Sequence, residues 1–166
     1  PGARTGTVSF GNNDADENPF DFTISGTGQM PEIVVEQPPG TGLTDAVGTQ
    51  DFGAVRVATS TTLTFTITNT GPADLLNLAV TKDGAQSAEF ALGTLGAVTL
   101  TQGASTTFSV TFTPAALGPR NAAVHIGSND ADENPFDIAL TGTGTQPDIA
   151  VAEVGGDRLG GVVQRA

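Results

Sequence analysis

Two segments hold most of the concentrated polar chemistry of this chain. They read Asn13-Asp14-Ala15-Asp16-Glu17-Asn18 and Asn129-Asp130-Ala131-Asp132-Glu133-Asn134, each with three carboxylates and two amides in six residues. Hard oxygens on a short, bendable loop suit Ca2+. Asp14, Asp16, Glu17, Asp130, Asp132 and Glu133 are therefore the candidate metal ligands, and Ca2+ the one cofactor to consider. The spacing is not that of an EF-hand, whose alternating carboxylates lead to a Gly and a distal Glu. The same residues also build loops with no ion, because Asn and Asp side chains bond their own backbone and tolerate left-handed conformations. Carboxylate pairs can act as general acid and base, but that needs a concave pocket that splits their pKa values. A solvated hairpin tip offers neither, so no catalytic role is expected.

Other chemical signals are weak. His125 is the single histidine. Its neighbours Val124 and Ile126 belong to an apolar face, so His125 points outward as a surface residue, with no second His or Cys to make a metal site. The Gly-Thr-Gly triplets at 26–28 and 142–144 are not phosphate loops: each precedes a Pro and another strand, with no helix to hold an anion. No Asn-x-Ser/Thr glycosylation acceptor is present.

Strands must position the two acidic loops. Thr62-Leu63-Thr64-Phe65-Thr66-Ile67-Thr68 alternates strictly, with Leu63, Phe65 and Ile67 on one face and Thr on the other, as a half-buried strand requires. Phe108-Ser109-Val110-Thr111-Phe112 repeats the pattern. Val124 and Ile126 alternate with His125, and Phe136, Ile138 and Leu140 with Asp137 and Ala139. Leu76, Leu78 and Val80 predict a further strand, and Ile33 with Val35 opens the set. Residues 90–92 and 98–100 are shorter candidates. No segment sustains a helical period. Six to eight short strands separated by turn signals describe an all-β sandwich.

The chain also repeats itself. GNNDADENPFDFTISGTG at 11–28 matches GSNDADENPFDIALTGTG at 127–144, and Pro31, Ile33 and Val35 match Pro147, Ile149 and Val151. The period is about 116 residues, the size of a whole domain and not of a solenoid unit. Residues 1–28 read as the C-terminal strands of one repeat, 31–144 as a complete repeat, and 147–166 as the N-terminal part of a third. Gly, Gln and Pro at the junctions read as linkers.

The stretches TTLTFTITNTGPADL, GASTTFSVTFTPAALGPRNAAVHIGSNDADENPFDIALTGTG and PDIAV resemble the ASH/hydin-type immunoglobulin-like repeat, and more narrowly the repeats of bacterial choice-of-anchor D surface proteins. The resemblance spans nearly all of 31–144. It implies an immunoglobulin-like β-sandwich in tandem, a scaffolding role, and no catalytic residues.

Composition narrows the function classes. The net charge is −12, with six basic residues against eighteen acidic ones. Such a surface repels nucleic acid and anionic membranes. No apolar run is long enough to insert in a membrane. Without Cys there is no disulfide framework or thiolate metal site. Trp and Tyr, the usual sugar-stacking rings, are missing. The expectation is a non-catalytic structural repeat of an extracellular or cell-surface bacterial protein, a spacer or filament unit. Its partners would be other copies of itself or adjacent repeats, joined head to tail through strands. A Ca2+-dependent adhesion or ligand-binding module, and an accessory repeat of a large secreted enzyme, are the alternatives.

Overall fold

The computed structural model describes residues 1–148. A two-stranded antiparallel hairpin of β1 (Gly2–Phe10) and β2 (Phe20–Gly28) comes first. Eight strands follow: β3 (Ile33–Glu36), β4 (Thr49–Arg56), β5 (Thr61–Asn69), β6 (Ala79–Asp83), β7 (Phe90–Leu92), β8 (Ser105–Phe112), β9 (Gly118–Gly127) and β10 (Phe136–Thr145). They form two sheets, β4-β10-β9-β6 and β3-β5-β8-β7, all antiparallel except the parallel β4–β10 pair. One 3-10 turn, Ser87–Glu89, precedes β7, and no α-helix occurs among the described residues. The lone lysine, Lys82, secures this turn by donating to the Ser87 carbonyl (2.6 Å) and the Phe90 carbonyl.

The core lies between the two sheets, and among the described residues its hydrophobic side chains run from Ile33 to Leu140. Alternation decides which ones. In β5, Phe65 and Ile67 are buried while Thr62 and Thr64 are exposed. On the solvent face Thr62 and Thr111 share a cross-strand hydroxyl hydrogen bond of 2.8 Å. Phe65 stacks on Phe108 across the β5–β8 pair, centroids 5.0 Å apart. Phe52 of β4 meets Phe90 and Phe112 of the facing sheet at 5.5 and 5.7 Å. These aromatic contacts tie the two layers together, completing an all-β, immunoglobulin-like sandwich.

Three expectations need correction. The strand predicted from Leu76, Leu78 and Val80 begins only at Ala79, because Asn77 has a positive φ of 59° that breaks the extended run. Leu76 is exposed, whereas Leu75 is buried and bridges to Leu100. Residues 98–100 contribute that single bridge and not a strand. Finally, β4 was hidden. Its two core residues, Phe52 and Val55, lie three apart, out of step with a period of two. Gly53, at φ +70°, sits in a bulge where the pairing with β10 shifts between Thr141 and Thr143.

The close approach of the sheets uses the glycines of the second Gly-Thr-Gly triplet. A Cβ on Gly142 would lie 2.5 Å from the Phe112 ring, and one on Gly144 2.0 Å from the Ala116 carbonyl oxygen. This triplet therefore ends β10, packed against the core, and is not a free linker. The expected third-repeat strand at 149–151, with Leu159 and Val162, lies outside the described residues.

Candidate functional site

The acidic loop of residues 128–135 joins β9 to β10 and is held by its own side chains. Asn134 Oδ1 accepts from the Ser128 N–H (3.1 Å), and Ser128 Oγ accepts from the Asp130 N–H (3.0 Å). Two residues reach further. Asn129 Oδ1 accepts from the Leu76 N–H (2.7 Å) and its Nδ2 donates to the Asp74 carbonyl (3.1 Å). Asp130 is buried at 1% exposure, and its Oδ2 accepts from the Ile33 N–H at 2.8 Å, fastening the loop to the first strand of the sandwich.

Beside Asp130 lie Glu133 and Glu32. One carboxylate oxygen from each of Glu32, Asp130 and Glu133 falls within 4.8 Å of the others. Glu133 Oε2 and Asp130 Oδ1 are covered and have no hydrogen-bond donor. Burial first, then the carboxylates of Glu32, Asp130, Asp132 and Asp45, push the Glu133 carboxyl above its ordinary range. Asp132 is exposed and is not one of the three convergent groups. Glu32 escaped the sequence reading because it is a single Glu after Pro31, 98 positions from its partners' loop in no pattern that local spacing reveals.

The loop of residues 11–19, with the same acidic residues, is held as a turn by its own Asn side chains. Asn12 accepts from the Asp14 N–H (2.6 Å) and donates to the Glu17 carbonyl (2.8 Å), and Asn18 Oδ1 accepts from the Asn12 N–H (3.1 Å). Asp14, Asp16 and Glu17 are all exposed. The Asp16 side chain and N–H beside it hold the Asp14 carboxyl below its ordinary range. No third carboxylate from another strand joins them among the described residues.

The hairpin carrying that loop repeats the β9–β10 register: Phe10 faces Phe20 as Ile126 faces Phe136, and Val8 faces Phe22 as Val124 faces Ile138. Its environment is the opposite. Val8, Phe10, Phe20, Phe22 and Ile24 are 37–52% exposed, whereas Val124, Ile126, Phe136, Ile138 and Leu140 are 0–3% exposed. Around Gly26, the match of Gly142, nothing approaches a Cβ within 4 Å. Both hairpin strands are exposed throughout, so the tail does not dock on the side of the sandwich.

His125 does point outward, but it is not alone. Its Nδ1 lies 2.7 Å from Asp137 Oδ1 on β10 and its Nε2 3.2 Å from Asp83 Oδ1 on β6. The hydrogen bond with Asp137, and secondarily that with Asp83, raise its pKa despite partial burial. A raised folded-state pKa gives stability that is fully present below the unfolded value of about 6.5 and is lost as pH rises through the folded one. Stability should therefore fall slightly as pH rises from about 6 to about 8, by less than about 1 kcal/mol because the partners are solvated. His125→Gln should flatten the profile. A wild-type profile already flat over that range would show that the bridge contributes nothing.

Nothing in this constellation places a nucleophile beside a base, and no helix of the described residues is long and apolar enough to cross a membrane. The family model described as ASH, "Abnormal spindle-like microcephaly-assoc'd, ASPM-SPD-2-Hydin", matches residues 45–134. The fold is similar to a protein of unknown function from Porphyromonas gingivalis W83, at TM-score 0.54 and 13% identity over 86% of this chain. This chain spans 66% of that protein's length. It is also similar to the ASH/PapD-like domain 7 of human CEP192, at TM-score 0.50 and 13% identity, over 72% of this chain and 89% of that one. No curated protein matches the chain in sequence. The ASH/PapD-like domain is a non-catalytic module, and this chain, matched over 45–134 and built as that sandwich, belongs to the ASH family.

Proposed function

We propose that this chain is part of a tandem array of sandwiches serving as a spacer or filament unit at or outside a bacterial cell surface. The hairpin of β1 and β2 carries the reading. It has the sequence and register of the last two strands of a sandwich, with a core face of Val8, Phe10, Phe20, Phe22 and Ile24 left open. A lone two-stranded hairpin is marginal in water, and its two edges can accept further strands. The remaining strands come from an adjacent repeat or from a neighbouring copy, placed head to tail. Such a contact does not close on itself, so it propagates. The sequence resemblance to choice-of-anchor D repeats is what supports the extracellular setting.

Light scattering and electron microscopy of the chain test this. The expected result is a mass that grows with concentration and unbranched linear particles. Replacing Phe10 and Phe22 together with Lys should return the chain to a monomer. A wild-type chain that stays monomeric at every concentration would overturn the reading.

A further inference from the structure

We propose that Glu32, Asp130 and Glu133 form a site for one hard divalent cation of the Ca2+ class, which clamps the entry strand of the sandwich to its last hairpin loop. The inference is independent of the spacer reading, since it concerns one sandwich and needs no second copy.

The argument starts from an electrostatic imbalance. Three carboxylates bring one oxygen each to within 4.8 Å of one another. Oxygens bound to a single Ca2+ at about 2.3–2.6 Å lie up to about 5 Å apart in pairs, so the three groups are near enough to share one ion with a small side-chain adjustment. No basic side chain balances the group: the ion pairs among the described residues are Arg120 with Glu89 and His125 with Asp83 and Asp137. Asp130 is 1% exposed and its Oδ1 is unpartnered, while Glu133 Oε2 is covered and equally unpartnered. Covered carboxylate oxygens without donors are costly, and they are kept where a cation or proton supplies the missing partner. Glu32 is exposed, which leaves the remaining coordination positions open to water.

A shared proton is the competing partner for the covered, donorless oxygens. The competition gives a crossed expectation. In chelator at neutral pH, Glu133→Gln removes a disfavoured charge, so it should melt above wild type. In millimolar CaCl2 wild type should gain stability by mass action and Glu133→Gln should not.

The site is also placed. Glu32 follows the linker at 29–31, and Gly71 lies directly beneath that segment, since a Cβ there would sit 2.5 Å from the Glu32 nitrogen. A cation at this point stiffens the segment that leads from the hairpin into the sandwich. Within one chain the hairpin copy, Asp14, Asp16 and Glu17, lacks a third carboxylate among the described residues, so one ion per monomeric chain is expected. Asp148 stands at the position that matches Glu32 in the repeat register.

Calorimetric titration of the full chain with CaCl2, paired with melting curves in CaCl2, MgCl2 and chelator, provides the test. Expected are one Ca2+ per chain, a melting temperature raised by Ca2+ more than by Mg2+, and a loss of affinity of about tenfold or more in Glu32→Gln. Glu32 is exposed, so that variant should keep the wild-type fold in chelator, and Asp14→Asn/Asp16→Asn/Glu17→Gln should bind as wild type does. No Ca2+-dependent shift in the wild type would overturn the proposal and leave the shared proton. So would a shift that survives Glu32→Gln and disappears in the hairpin triple variant.

Discussion

Phe112→Ala should lower the stability of the sandwich by about 3–5 kcal/mol, at the upper end for a buried aromatic truncated to Ala. Phe112 is fully buried on β8. Its ring stacks on Phe90 of β7 with centroids 4.6 Å apart, meets Phe52 of β4 at 5.7 Å, and lies over Gly142 of β10. One side chain thus joins strands of both sheets. Its removal leaves a cavity bordered by two rings and by a strand held by its own hydrogen bonds, so little collapse can fill it. For a sandwich of this size the melting temperature should drop by about 12–20 °C. A loss below about 1 kcal/mol would mean that the ring is not part of a packed core.

Asn69→Ala should cost a similar amount, by a different route. Asn69 is fully buried at the end of β5. Its Oδ1 accepts from the Glu32 N–H (3.2 Å) and the Gly71 N–H (3.1 Å), and its Nδ2 donates to the carbonyls of Ala73 (2.8 Å) and Leu100 (2.9 Å). Leu100 keeps a second partner in the Leu75 N–H. The other three backbone groups lose the side-chain partner that satisfies them. The Gly71 N–H is buried and the other two groups are half-buried, so at about 1–3 kcal/mol for a buried group left unpaired and less where water can enter, a total of about 3 kcal/mol follows. Chemical denaturation should show the loss in the midpoint with an unchanged slope. Asn69→Asp, which has the same shape but turns a carboxylate toward two carbonyls, should be no better. A near-wild-type Asn69→Ala would show that the turn is held by backbone alone.

The two substitutions also mark what the sequence made legible. Phe112 was plain, because Phe108, Val110 and Phe112 alternate with polar residues in a strand buried on one face. The same holds for β5, β9 and β10, whose inner faces the structure buries as alternation requires. Asn69 begins the stretch Asn69-Thr70-Gly71-Pro72, whose residue types mark a turn. Its role as a four-bond hub depends on groups up to 37 residues away, which local pattern does not contain. β4 was missed for a related reason: a bulge at Gly53 resets its period, and its pairing with β10 is parallel and distant in sequence. At the acidic loops, composition pointed to six carboxylates equally. The structure separates them. Asp130 and Glu133 converge with Glu32, Asp132 stays exposed, and the hairpin copy is a turn stabilised by its own Asn side chains. Nearly identical sequence gives a different setting because one loop has a first strand beside it and the other does not.

That contrast leads to the central proposal: the hairpin of β1 and β2 matches the two inner strands of a sandwich sheet, and we propose that it takes its missing strands from another repeat. The chain holds its own control, since β9 and β10 carry nearly the same sequence inside a complete core. Amide hydrogen exchange, read separately for both strand pairs across a concentration series, is the most direct test. The account predicts that β9 and β10 exchange slowly at every concentration. Strands β1 and β2 should exchange rapidly when dilute and become protected as copies associate. Protection of β1 and β2 that is already full in the dilute monomer would contradict it, since the hairpin would then be stable without any partner.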